Sequence, residues 1–175
     1  MIDSILSDML LAAIAGFGFA YACNPPLRIL IFSALLAALA HGLRFALLTY
    51  FNFQTLALAT FIASFCIGCL GILFAKILKT PAEIIAFPAL IPMIPGIYAY
   101  KAILYLFSFI RSEDLRAKTD YLIQFFDYFF TTLSVTLALA VGVSVTLLIF
   151  FEQAFMMTRH HKSFENIVLK YLKDK

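Results

Sequence analysis

Five ionisable side chains sit inside otherwise apolar stretches of this sequence: Asp8, His41, Arg44, Lys101 and Asp127. Such groups are costly in an apolar medium, so they face a protein interior or a wet cavity and tend to do chemistry there. His41 and Arg44 are three residues apart, which on a helix places them on one face. Histidine titrates near neutrality and suits a proton-coupled step. Arg44 is always charged and can pair with Asp8 or Asp127 or hold an anionic solute. The plain alternatives are a structural hydrogen bond for His41 and snorkelling to water for Asp8 and Asp127. Arg44 and His41 rank ahead of Lys101 as polar-site candidates, with Asp8, His41 and Asp127 as a coupling or polar network.

The second chemical feature is the stretch Phe87 to Lys101, FPALIPMIPGIYAYK. Pro92 and Pro95 cannot donate backbone hydrogen bonds and clash with the carbonyl four residues earlier. Gly96 tolerates conformations that other residues avoid. The expectation is a helix interrupted within the stretch, with freed backbone groups that must be buried in protein or line a cavity. A second half-helix beginning near Pro95 would present N–H groups and partial positive charge, suited to a carboxylate. Tyr98, Tyr100 and Lys101 follow with hydroxyls, aromatic faces and a charge. A packing kink is the plain alternative.

Other chemistries find little support. The sequence has no Gly-rich phosphate loop, no H-E-x-x-H and no G-x-S-x-G, so no catalytic residues are assigned. Cys66 and Cys69 form a C-x-x-C inside an uncharged apolar run. A redox motif needs a thiolate, which hydrocarbon disfavours, and a metal site needs further ligands. No metal or cofactor is therefore expected, and His160-His161 read as solvated.

The elements that must position these groups are legible from hydropathy. The chain of 175 residues is 63% hydrophobic and 13% charged, with mean hydropathy +0.98. A water-soluble domain of that length could not hide so much apolar surface; a bilayer removes the problem. The net charge of +3 is too small to suggest nucleic acid. The expected fold is all-α, a polytopic membrane bundle of about five helices, the fourth broken by Pro and Gly. The segments run roughly 5–23, 27–50, 56–75, 84–110 and 121–151, with 111–120 as a polar loop. The segment 27–50 is the least secure crossing because it carries His41 and Arg44. The first segment has no preceding basic residue and reads as a retained span rather than a removable leader.

Small residues recur every four positions in four segments: Ala12-Gly16-Ala20, Ala34-Ala38-Gly42, Thr60-Ser64-Gly68 and Ser134-Ala138-Gly142-Thr146. In lipid such faces mark helix–helix interfaces. Residues 1–152 thus form the bundle. Residues 153–175 form a charged tail whose Phe164, Ile167, Val168, Tyr171 and Leu172 fall at helical spacing. It suits a short amphipathic helix on a membrane surface or partner, or a solvated end.

With five spans, one side holds Arg28, Lys76, Lys79, Arg159, Lys162, Lys170, Lys173 and Lys175, and the other Arg111, Arg116 and Lys118. The basic excess marks the cytoplasmic side. The expectation is an inner-membrane protein with an external N-terminus and a cytoplasmic C-terminus.

The chain resembles the small second-half subunit of the bacterial threonine/serine exporter family. The resemblance runs from about Asp8 to Phe151. It rests on Asp8 with the following Ala/Gly/Phe run, on Asn24, Pro26 and Arg28, on His41-Gly42-Leu43-Arg44, and on Ile91 to Tyr100. It implies export of small amino acids, or in split versions a dicarboxylate such as succinate. It also implies a partner, a second hydrophobic exporter subunit or another copy of the chain. Lys101 falls just outside the motif. On this reading Pro92, Pro95, Gly96, Tyr98, Tyr100, Arg44 and Lys101 contact a small carboxylate-bearing substrate, lipid surrounds the bundle, and access alternates between the two sides. A non-transporting membrane scaffold, an intramembrane enzyme and a channel are the competing classes.

Overall fold

The computed structural model describes residues 2–51, 53 and 55–150, so the tail expected at 153–175 lies outside the described residues. Among the described residues six α-helices follow one another: α1 (Ile2–Ala22), α2 (Leu27–Thr49), α3 (Leu56–Leu78), α4 (Ala82–Leu90), α5 (Gly96–Arg111) and α6 (Leu115–Ile149). A 3₁₀ turn over Ile91–Met93 joins α4 to α5. Four of these described helices are long and apolar enough to cross a membrane, and the bent pair α4–α5 makes a fifth crossing when counted as one.

The chain reverses through short, locally encoded turns. Asn24 takes a left-handed backbone (φ 53°) before Pro25-Pro26, and Pro26 then caps α2. Asparagine is among the few residues that visit that region readily. Lys79 adopts the same conformation (φ 53°) and ends α3, its N–H returning to the Ala75 carbonyl. The loop expected over 111–120 is a correction. Only Ser112–Asp114 is non-helical, because the Asp114 carboxylate accepts from the N–H groups of Arg116 and Ala117 and starts α6 at Leu115. The charges there mark a helix N-terminus rather than a loop.

The core lies where α2, α3 and α4 meet, with Leu36, Ala37, Ala63, Ile67, Ile85, Ala89 and Met93 buried. The Ser33 hydroxyl, fully buried, donates to the Ile85 carbonyl (3.1 Å) and ties α2 to α4. α1 packs on α2 at Gly16, where an added Cβ would stand 2.5 Å from the Ala37 Cβ. The small faces on α1 and α3 are buried, with Ala12 and Ala20 on the first and Thr60 and Ser64 on the second. On α2 only Gly42 is fully covered, and on α6 Gly142 and Thr146 are buried while Ser134 is exposed.

A close helix contact joins α3 to α6. A Cβ at Gly142 would collide with the Ser64 Oγ and stand 2.8 Å from the Phe61 carbonyl; one at Gly68 would stand 2.6 Å from the Thr146 Cβ. Two hydrogen bonds cross it, Ser64 Oγ to the Ala138 carbonyl and Thr146 Oγ1 to the Phe65 carbonyl, each 3.2 Å. These contacts advance along both helices in the same sense, so α3 and α6 run parallel. One crossing must then separate them. The pair α4–α5 supplies it, since a bend of 47° deflects the chain without reversing it.

α5 and the first half of α6 form an antiparallel hairpin, with Tyr98 against Tyr128 (6.0 Å between centroids) and Tyr105 against Tyr121 (6.3 Å). On α5 only Ala102 is fully buried, and on α6 the buried positions begin at Val135.

Candidate functional site

The break in the fourth crossing has a specific backbone route. A residue before proline is pushed out of the helical region, and Ile94 is accordingly extended (ψ 131°) ahead of Pro95. Pro95 itself (φ −78°, ψ 61°) is the centre of an inverse γ-turn, in which the Gly96 N–H bonds to the Ile94 carbonyl at 2.8 Å. In an α-helix that N–H would belong to the Pro92 carbonyl and the next one to Met93. The break therefore strands two carbonyls, those of Pro92 and Met93.

Two corrections attach to this segment. Gly96 has no left-handed backbone and an added Cβ there would meet nothing within 4 Å, so the interruption comes from Ile94 and Pro95. Pro88 lies inside α4, which continues through it to Leu90.

Side chains from α2 occupy the stranded carbonyls. Arg44 Nη1 donates to the Met93 carbonyl at 3.1 Å, and His41 Nε2 lies 3.2 Å from the Pro92 carbonyl. Arg44 Nη2 also lies 3.3 Å from His41 Nε2. On the other edge of the ring, His41 Nδ1 pairs with Asp8 Oδ2 from α1 at 3.0 Å. The imidazole is 13% exposed and the carboxylate 34%, so the network has a wet edge on the Asp8 side. Helical spacing put His41 and Arg44 on one face. The inter-helix register then gave Asp8 to His41 and left Arg44 for the carbonyl. Asp8 and Tyr98 nevertheless lie close enough to Arg44 to act on it electrostatically.

The remaining candidates divide. Tyr98, on the first turn of α5, is near enough to Arg44 to act on it electrostatically and sets its ring at a tilt against Tyr128. Lys101 places Nζ 5.2 Å from the centre of the Tyr128 ring. Tyr105 lies parallel to that ring at 5.4 Å. Tyr100 points outward and is 65% exposed. Asp127 is exposed on α6 and, among the described residues, has no hydrogen-bond or ion-pair partner. Sequence reasoning passed over Met93 and Tyr128. Met93 acts through its carbonyl, which no side-chain pattern flags, and Tyr128 was one aromatic in a run of aromatics.

A cavity of about 640 Å³ opens elsewhere, between the α1–α2 turn and α4, lined by Cys23, Asn24, Pro25, Pro26, Glu83, Ile84, Phe87 and Pro88. It contains none of the network residues and is largely apolar. The hydrogen-bond geometry therefore locates the polar chemistry better than the void does.

Membrane-crossing helices, one of them broken around carbonyls that Arg44 and His41 hold from α2, define a multi-pass membrane protein of helical-bundle type. The family model described as "Threonine/Serine exporter, ThrE" matches residues 8–149. The chain belongs to that exporter family, and its transport role is of that type. No solved structure matches the chain.

Proposed function

We propose that this chain is one half of a secondary exporter for small carboxylate-bearing metabolites, threonine and serine first, or a dicarboxylate such as succinate. The observation that carries this reading is the seating of His41 and Arg44 on the Pro92 and Met93 carbonyls, 3.2 and 3.1 Å away. It puts a permanent cation beside the start of α5 at a backbone break, with Tyr98 alongside. A substrate carboxylate would meet Arg44 and the N-terminal end of α5 near Pro95 and Gly96, where partial positive charge collects. Asp8 and His41 would form the coupling pair. Lys101, Tyr100 and Asp127 would act further out along the α5–α6 hairpin.

The partner in this proposal is a second hydrophobic exporter subunit, or another copy of the chain, docked so that access alternates between the two membrane faces. The basic residues Arg28, Lys76 and Lys79 at one end support an inner-membrane orientation with the N-terminus outside. The test is reconstitution of the full chain with its companion subunit in liposomes loaded with labelled L-threonine, L-serine or succinate. Efflux above that of protein-free liposomes is expected for at least one of them. Background efflux for all three, from verified folded protein, would overturn the proposal.

A further inference from the structure

The cavity at the α1–α2 turn has largely apolar side chains, but its main chain is short of partners. Pro88 and Pro92 have no N–H to return four residues back, so the carbonyls of Ile84 and Pro88 lose their helical donors. α4 nevertheless runs on through Pro88 to Leu90. Ile84 and Pro88 both line the cavity of about 640 Å³. Four apart on one face of α4, their oxygens stand about 6 Å from each other along the helix. Among the described residues no side chain donates to either; the Ser33 hydroxyl serves Ile85, on the core-facing side. At membrane depth a carbonyl takes its donor from protein or from what fills a wet cavity.

The rest of the wall asks for donors too. Glu83, the second residue of α4, lines the mouth, is exposed, and among the described residues has no hydrogen-bond or ion-pair partner. One carboxylate and two carbonyls thus face a single side-chain amide, that of Asn24, and the weakly donating Cys23 thiol. The complement is a small molecule with several N–H and O–H donors. A hydroxy amino acid fits: its ammonium brings three donors, its hydroxyl a fourth, and its carboxylate accepts from an amide. A dicarboxylate brings acceptors and meets Glu83 with like charge. The volume lies in the range of small-ligand sites, about 300–1,000 Å³. The cavity is also remote from the Asp8–His41–Arg44 network: Cys23 is 15 residues beyond Asp8 along α1, about 22 Å. In the orientation proposed above this is the cytoplasmic end, from which an exporter loads.

We propose that this cavity is a loading station for a hydroxy amino acid, in which Glu83 takes the ammonium, the Ile84 carbonyl takes the hydroxyl and Asn24 takes the carboxylate, with the deeper Pro88 carbonyl left to water. This rests on the exporter reading for the direction of travel, and it narrows that reading to L-serine and L-threonine against succinate. The station is weaker than the Arg44 site, because it offers the carboxylate no permanent cation; it sorts solutes rather than holding them. Selection comes from the stranded carbonyl. An analogue without the hydroxyl leaves that acceptor unmet, the kind of mismatch that polar sites reject.

Cys23, exposed in the cavity wall, is the local reporter. The full chain with Cys66→Ser and Cys69→Ser, in bilayer nanodiscs, is labelled with a maleimide, and the concentration of each solute that halves the labelling rate is measured. L-threonine and L-serine are expected to protect, as is L-threoninol, which has no carboxylate for Arg44 to hold. L-2-aminobutyrate, which lacks only the hydroxyl of L-threonine, should need several-fold more, and succinate should not protect. Glu83→Gln should raise the half-protecting concentration of L-threonine about tenfold. Pro88→Ala returns an N–H to the Ile84 carbonyl and should bring L-threonine and L-2-aminobutyrate level. Protection by succinate, or none by L-threoninol, would overturn the station, and a hydroxyl preference that survives Pro88→Ala would overturn the part given to the carbonyl. If Pro88→Ala does not fold, Glu83→Gln and the solute series on the unaltered cavity decide. L-threonine efflux without Cys23 protection would overturn the station and leave the exporter reading standing. Protection without efflux of any solute would overturn the exporter reading and the loading role together, while the binding itself would hold.

Discussion

Straightening the fourth crossing should empty the site. Replacing Pro95 by Ala restores an N–H for the Ile91 carbonyl and frees Ile94 to become helical. The N–H groups of residues 96 and 97 would then claim the Pro92 and Met93 carbonyls and detach them from His41 and Arg44. Each Pro→Ala change in a helix interior favours the helix by about 3 kcal/mol. Against this stand one charge-assisted hydrogen bond, about 1.5–3 kcal/mol, and one ordinary bond of about 1 kcal/mol. The single variant is therefore near balance, and Pro92→Ala/Pro95→Ala tips to the straight helix by roughly 2–3 kcal/mol. The arms, 82–93 and 96–111, are about 18 Å and about 24 Å long at 1.5 Å per residue. Without the two linking residues, the arms span about 39 Å end to end when bent by 47° and about 42 Å when laid straight. Spin labels at Glu83 and Ile110 in a cysteine-free background should separate by about 3 Å more in the double variant. Flux should fall about tenfold or more, the equivalent of one lost charge-assisted bond. Gly96→Ala, where an added Cβ would meet nothing within 4 Å, should leave the distance unchanged. A double variant with the longer distance and undiminished flux would refute the assignment of the site to the break.

Two further outcomes follow from the same geometry. Gly142→Leu should loosen α3 from α6 and cost about 2–4 kcal/mol in detergent-titration unfolding, from overpacking plus two strained interhelical hydrogen bonds; Gly18→Leu, with open space around it, is the tolerated control. Arg44→Lys keeps the charge but not a planar fork that reaches both Met93 and His41; binding of L-threonine should fall about tenfold, and Arg44→Gln should abolish it.

The helices, the proline break and the α3–α6 face were legible because each depends on local chemistry. Twenty apolar residues, a missing N–H and a four-residue spacing carry their meaning wherever they occur. The polar network was legible only as a roster. Spacing placed His41 and Arg44 together, but which donor meets Asp8 depends on how α1 slides along α2. That offset is fixed by uncharged contacts such as Gly16 on Ala37 and Met9 over Gly42. Met93 was invisible for another reason: its backbone oxygen does the work. The run from Arg111 to Asp120 was misread because charge density outweighed Asp114, whose capping pattern was present.

The length of α6 has its own consequence. At 1.5 Å per residue its 35 residues extend about 52 Å, against a hydrocarbon thickness of about 30 Å. Even a tilt of about 40°, at the upper end of what spanning helices show, leaves roughly 10 Å outside the oily slab. The end bearing Arg116, Lys118 and Asp120 is the part that water tolerates. Tyr105 and Tyr121 then fall near the headgroups, where phenols anchor well. The hairpin would so serve as a mooring post that sets the depth of the whole bundle, and a thinner bilayer would pull on the joint at Pro95 before anything else.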